Sequence, residues 1–144
     1  NRIALDEMVN QVREAQDFST CPASICPPSG ESSNTLQLVL SLWPLNPATG
    51  DPYQPGGPPV YDYIVYKWNN STKNLTKYIY TIGVQSKRVA NQDIIAKDVI
   101  NFTLSYDATT SQVTIYLENQ TSSLRKTFNF KQTVKANLRN KVSP

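Results

Sequence analysis

Arg2-Ile3-Ala4-Leu5-Asp6-Glu7-Met8-Val9-Asn10-Gln11-Val12-Arg13-Glu14-Ala15-Gln16-Asp17 is the stretch on which the fold turns. At 3.6 residues per turn, Ala4, Leu5, Met8, Val9, Val12 and Ala15 fall in one stripe, while Asp6, Asn10, Arg13, Glu14 and Asp17 point elsewhere. The spacing predicts an amphipathic helix. Ile3 lies off the stripe, so the first turn offers apolar surface in a direction that a lone domain does not cover. The start has two readings: Asn1 caps the helix, or the helix continues upstream into a longer apolar rod.

Downstream of the helix, Phe18 to Asn34 is rich in Pro, Ser and Cys without periodicity, which predicts a surface loop. Its two cysteines, Cys21 and Cys26, are the only ones in the chain. The four residues between them can close a small disulfide loop, the favoured reading, and one that points to an oxidising, extracytoplasmic compartment. A pair of unlinked thiols is the alternative. The Cys-x-x-Cys spacing of redox centres is absent, and two cysteines do not complete a zinc tetrahedron where histidine is lacking.

The period then changes from 3.6 to 2. In Thr35 to Leu42 every even residue is Leu, which predicts a strand with one buried face. Pro44 ends it, and six prolines and three glycines between Pro44 and Pro59 make an irregular connection. Val60 to Trp68 and Leu75 to Ile82 read as a hairpin turned by the Asn69 to Asn74 cluster. Val99 to Tyr106 and Gln112 to Glu118 read as a second hairpin, flanking Asp107 to Ser111. Leu124 to Leu138 closes the chain, with Phe128, Phe130, Val134, Ala136 and Leu138 on its apolar, even-numbered face.

The plan is one helix followed by five or six strands joined by hairpin-length turns. It calls for an α+β fold in which the N-terminal amphipathic helix lies on the apolar face of an antiparallel β-sheet. The 144 residues fit one domain. Within it, 1–18 is the helix, 19–34 the loop with the disulfide, and 35–144 the sheet region.

Composition narrows the chemistry. Charged residues are only 17% of the chain and hydrophobic residues 39%, a balance closer to a secreted or surface protein than to a helical cytosolic enzyme. No histidine occurs, which removes the commonest general base, proton shuttle and zinc ligand together. Asp51, Asp62, Asp93, Asp98, Asp107 and Glu118 are scattered, with no pair at a spacing that brings two carboxylates together for acid and base work. A hydrolase triad of the usual kind cannot be assembled, and five glycines form no phosphate-cradling loop. These features exclude the familiar catalytic designs, so no enzyme, no small-molecule substrate and no cofactor are expected. Calcium is the weak exception: Asp51, Asp93 or Asp107 in loops can supply oxygen ligands, but the clustered spacing of a calcium loop is missing.

Binding residues are easier to nominate. After Glu118 no acidic residue remains, while Arg125, Lys126, Lys131, Lys135, Arg139 and Lys141 accumulate. Lys131, Lys135 and Arg139 share the polar face of one strand, suited to DNA phosphates or to the carboxylates of a neighbouring subunit. Lysines that keep an edge strand from aggregating are the plainer explanation. The net charge of +3 is too small to demand a polyanionic partner. Trp43, Tyr53 and Tyr61 around the Pro-rich connection, together with the cysteine loop, are further contact candidates, with rings that merely cover the edge of the core as the plainer explanation.

Two regions carry a resemblance. Arg2 to Met8, continuing through Val12-Arg13-Glu14-Ala15, resembles the stretch that follows the membrane segment in type IV pilin-like proteins, namely PilW-class minor pilins and the J-class pseudopilins of type II secretion. Ile95 to Val99, Phe102 to Asp107, Val113 to Leu117 and Leu138-Arg139-Asn140 resemble the last third of those proteins in order and spacing. Cys21 to Gly83 matches nothing recognisable.

The resemblance implies a subunit anchored in the inner membrane by an apolar segment ahead of Asn1, cleaved and methylated as a prepilin. It implies assembly with other pilin or pseudopilin subunits in a pilus, pseudopilus or competence filament at the cell surface or in the periplasm. In that picture Leu5, Met8, Val9 and Val12 seat the helix on its own sheet. Ile3 and the upstream continuation pack among neighbours. An extracellular binding module, adhesin-like or DNA-binding through the basic C-terminal strand, is the alternative.

Overall fold

The computed structural model describes residues 2–15, 17–19, 35–58, 60–81, 86–107 and 109–138. The helix α1 runs Arg2–Glu14. It is followed by β1 (Asp17–Ser19), β2 (Thr35–Leu42), β3 (Asp62–Asn69), β4 (Asn74–Tyr80), β5 (Asn91–Ala96), β6 (Val99–Asp107), β7 (Gln112–Ser123) and β8 (Lys126–Asn137).

These strands form two antiparallel sheets, a five-stranded one in the order β1-β2-β3-β4-β5 and a three-stranded one in the order β6-β7-β8. The expected α+β architecture, a helix on a single antiparallel sheet, is therefore wrong. The chain is β-rich, with a helix of 13 residues and strands divided between two sheets. The division is made at Lys97-Asp98. Asp98 takes a left-handed φ of 56°, turning the chain out of β5 and away from the first sheet. Val99 then opens the second sheet against the β3–β4 turn, donating its N–H to Lys73 O at 2.8 Å. The indole Nε1 of Trp68 donates to Val99 O at 2.9 Å and ties the two sheets at that corner.

Local chemistry sets the turns. The Asn69 side-chain carbonyl accepts from the N–H groups of Ser71 and Thr72, and Asp107 does the same for Thr109 and Thr110. Each is an Asx turn that reverses the chain into a hairpin. The β7–β8 hairpin differs: Ser123 pairs with Lys126, and the two residues between, Leu124 and Arg125, both have positive φ, 51° and 68°. That is the conformation of a two-residue type I′ turn, here built without the usual Asn or Gly.

One core joins the helix and both sheets. Ala4, Leu5, Met8, Val12 and Ala15 of the helical segment meet Leu38, Leu40, Ile64 and Tyr66 of the first sheet and Phe102, Val113, Ile115, Leu117 and Ala136 of the second. In β2 the even leucines Leu38, Leu40 and Leu42 are buried as the alternation requires, but Val39 on the opposite face is fully buried too, paired with the buried Val65. The strand is thus covered on both faces rather than one.

Other differences are local. The segment expected as loop from Phe18 begins with strand β1, which pairs with β2. Strand β5 follows no clear alternation in Asn91-Gln92-Asp93-Ile94-Ile95-Ala96 and was not anticipated. It forms because the edge of β4 recruits it, with a register irregularity between Leu75 and Thr76.

Candidate functional site

The helical surface is the first candidate. Leu5, Met8 and Val12 are buried, and Val9 is half-buried against the same cluster, because the stripe faces the core that the two sheets share. Ile3, in the same turn as the buried Ala4 and Leu5, is 83% exposed. The helix is also fixed electrostatically: Lys77 of β4 donates its Nζ proton to Glu7 Oε1, across 70 residues of sequence. Beneath it lies Tyr66, fully buried, whose hydroxyl has no hydrogen-bond partner among the described residues. Burial first, then the negative charges of Glu7 and Glu14, push its phenol pKa far above the ordinary value.

The second candidate is the basic strand. Lys131 and Lys135 stand exposed on the outward, odd-numbered face of β8, four residues apart. Arg139, the third member of the expected set, lies outside the described residues, as do Cys21 and Cys26 and hence the proposed disulfide. Lys131 pairs in register with Glu118, whose carboxylate accepts from Asn129 Nδ2 at 3.1 Å and from the Tyr116 hydroxyl at 3.2 Å. Desolvation raises the Tyr116 pKa, and the charge and hydrogen bond of Glu118 add to it.

The expected apolar face of β8 divides into two parts. Ala136 and Leu138 are buried and Val134 packs against the core, but Phe128 and Phe130 are 46% and 56% exposed. The reason is visible across the strand pair. Phe130 faces Asn119 and Phe128 faces Thr121, so β7 has already become polar where those rings emerge. Beyond Glu118 the hairpin leaves the core as an arm, every residue from Gln120 to Lys131 being exposed, with Leu124 at its tip. Phe130 walls a shallow groove of 360 Å³ with Lys97, Asp98, Asn119 and Thr121. This arm is the feature that sequence reading missed, and the polar cross-strand partners of the two phenylalanines were its signal.

Around the Pro-rich connection, Trp43 is 36% exposed and Tyr53 and Tyr61 are half-buried. The corner is held by Asp62, the one buried carboxylate among the described residues. It accepts from Ser86 Oγ and from Arg88 Nη1 at 2.9 Å, while Arg88 also donates to Trp43 O at 2.6 Å. Ser86 Oγ in turn accepts from Leu45 N at 3.2 Å. These bonds join the Pro-rich connection at Trp43 and Leu45 to β3 at Asp62 and to Ser86 and Arg88 ahead of β5, the pattern of a loop clamp.

Among the described residues no group of three or more His, Cys, Asp or Glu side chains is placed to hold a metal, and no helix is long and apolar enough to cross a membrane. Comparisons with family profiles, with curated proteins and with solved structures find no match for this chain.

Proposed function

We propose that this chain is a non-catalytic assembly subunit of the type IV pilin-like class, a minor pilin or pseudopilin that primes or caps an extracytoplasmic filament. The observation that carries the reading is the unequal use of α1. Its stripe, from Ala4 and Leu5 in the first turn to Val12 in the last, is consumed by the core, while Ile3 in that same first turn is turned outward. An isoleucine held in that position on a rigid helix is an apolar contact for a neighbour or for a continuing rod.

The test is the complete gene, expressed in its own host. The reading expects a prepilin leader and an apolar segment ahead of Asn1, cleavage at that leader by mass spectrometry, and recovery of the chain in sheared filament fractions. It expects Ile3→Asp to lose that recovery while the domain stays folded. An ordinary signal peptide cleaved just ahead of Asn1, or a secreted monomer absent from filaments, overturns it. A DNA-binding tip, the other reading, draws on Lys131 and Lys135 sharing one exposed face. Gel-shift binding unaffected by Lys131→Glu and Lys135→Glu ends that idea.

A further inference from the structure

The β7–β8 arm is costly for the molecule to maintain. Two-stranded hairpins are marginal in water without a packed face, and this one also holds Leu124 and Arg125 at positive φ, where glycine or asparagine is at ease. It exposes Leu124, Phe128 and Phe130 at once. Strain and apolar exposure kept together on a protruding element point to a bound state that offsets them.

The arm also ends a sheet. β8 is the terminal strand in the order β6-β7-β8, with no further strand beyond it among the described residues. Side chains alternate across it: Phe128 and Phe130 point to one face, Lys131 to the other. From Asn119 to the end the sequence contains no acidic residue, while Arg125, Lys126 and Lys131 all lie on the arm.

We infer that the outer edge of the β8 arm, Lys126 to Lys131, is a strand-addition site for an extended acidic segment of a partner protein. That segment alternates apolar residues, packed beside Phe128 and Phe130, with carboxylates beside Lys131. Strand addition supplies main-chain hydrogen bonds, and the alternate side chains supply selectivity. The same lysines argue against a second copy, because pairing two β8 strands lines Lys126 of each along one face of the seam and Lys131 and Lys135 of each along the other. A nucleic acid fits less well. The phenyl rings share their face with Lys126 alone, while Lys131 lies on the other, so a strand that stacks bases on the rings reaches only one of the two lysines with its phosphates. The site is distinct from Ile3 and α1, and it stands or falls apart from the filament reading.

The experiment uses the folded chain and four probes followed by fluorescence anisotropy: a capped peptide of alternating Glu and Val, its Lys-for-Glu counterpart, the acidic peptide N-methylated at alternate backbone amides, and a single-stranded oligothymidylate. The acidic peptide is expected to bind and the basic one not. N-methylation is expected to abolish binding, since it removes ladder hydrogen bonds and leaves charge intact. Lys126→Glu with Lys131→Glu is expected to weaken binding roughly tenfold or more, and Phe128→Ser with Phe130→Ser to weaken it as well. Ile3→Asp is expected to leave it unchanged. All these positions are solvent-exposed, and circular dichroism of each variant checks that the fold is kept. Equal binding of the N-methylated peptide, indifference to the lysine reversals, binding of the oligonucleotide alone, or dimerisation of the chain through β8 would overturn the proposal.

Discussion

Tyr66 shows what a single side chain can cost. Its ring fills the core between α1 and the first sheet, yet its hydroxyl finds no partner among the described residues. A buried hydroxyl left unsatisfied forfeits its hydration, so Tyr66→Phe is expected to stabilise the protein by about 1 kcal/mol in urea unfolding. The pH dependence has a defined sign. Burial, then Glu7 and Glu14, hold the folded phenol protonated above its ordinary pKa of 10.0. The folded state therefore keeps its proton where the unfolded chain has lost it. The stability linked to that proton is whole below about pH 10 and falls as pH rises further. Tyr66→Phe removes this part of the alkaline decline. An alkaline unfolding curve identical for both proteins contradicts it. Asp62 is the opposite case, fully satisfied and fully buried. Asp62→Ala leaves Arg88, whose side chain is only 15% exposed, without its carboxylate. It is expected to cost about 3 kcal/mol, the usual penalty for breaking a buried pair, and a loss near zero by urea titration would refute the clamp.

Among the elements, α1 was the most legible. The helical stripe named Leu5, Met8 and Val12 as buried and left Ile3 outside it, and those four residues occupy those environments. Period alone sufficed there because one face of a helix meets one core. Met8→Ala is accordingly expected to lose about 3 kcal/mol through the cavity it leaves, whereas Ile3→Ala should stay within about 0.5 kcal/mol. Thermal melts of the two variants decide this, and comparable losses would mean that the outward turn is packed. The basic strand was legible as a pattern but not as a place. Phe128 and Phe130 carry the same alternation as Val134 and Ala136, and nothing in β8 itself distinguishes rings that are buried from rings that protrude. That information sits in β7, in Asn119 and Thr121 opposite them. A strand's environment is fixed by its partner, so a reading confined to one strand could not reach it.

For the whole molecule, the hairpins were legible because Asn69 and Asp107 encode their own turns, while the partition into two sheets was not. The partition depends on contacts distant in sequence, Trp68 to Val99 and Lys73 to Val99, and on the left-handed Asp98 that no periodicity announces. Yet the two sheets do not form separate cores. Residues of α1, β2, β3, β6, β7 and β8 share one buried cluster, so neither sheet keeps an apolar face covered if the other leaves. Unfolding is therefore expected to be a single cooperative event. Both tryptophans, Trp43 and Trp68, belong to the first sheet or its margin, and the second sheet contains none. Tryptophan fluorescence thus follows the first sheet and its corner with the second, where Trp68 meets Val99, and far-ultraviolet circular dichroism follows both sheets throughout. Superimposable urea transitions by the two signals are the expected outcome, and a fluorescence midpoint displaced from the dichroism midpoint would show that the sheets come apart independently.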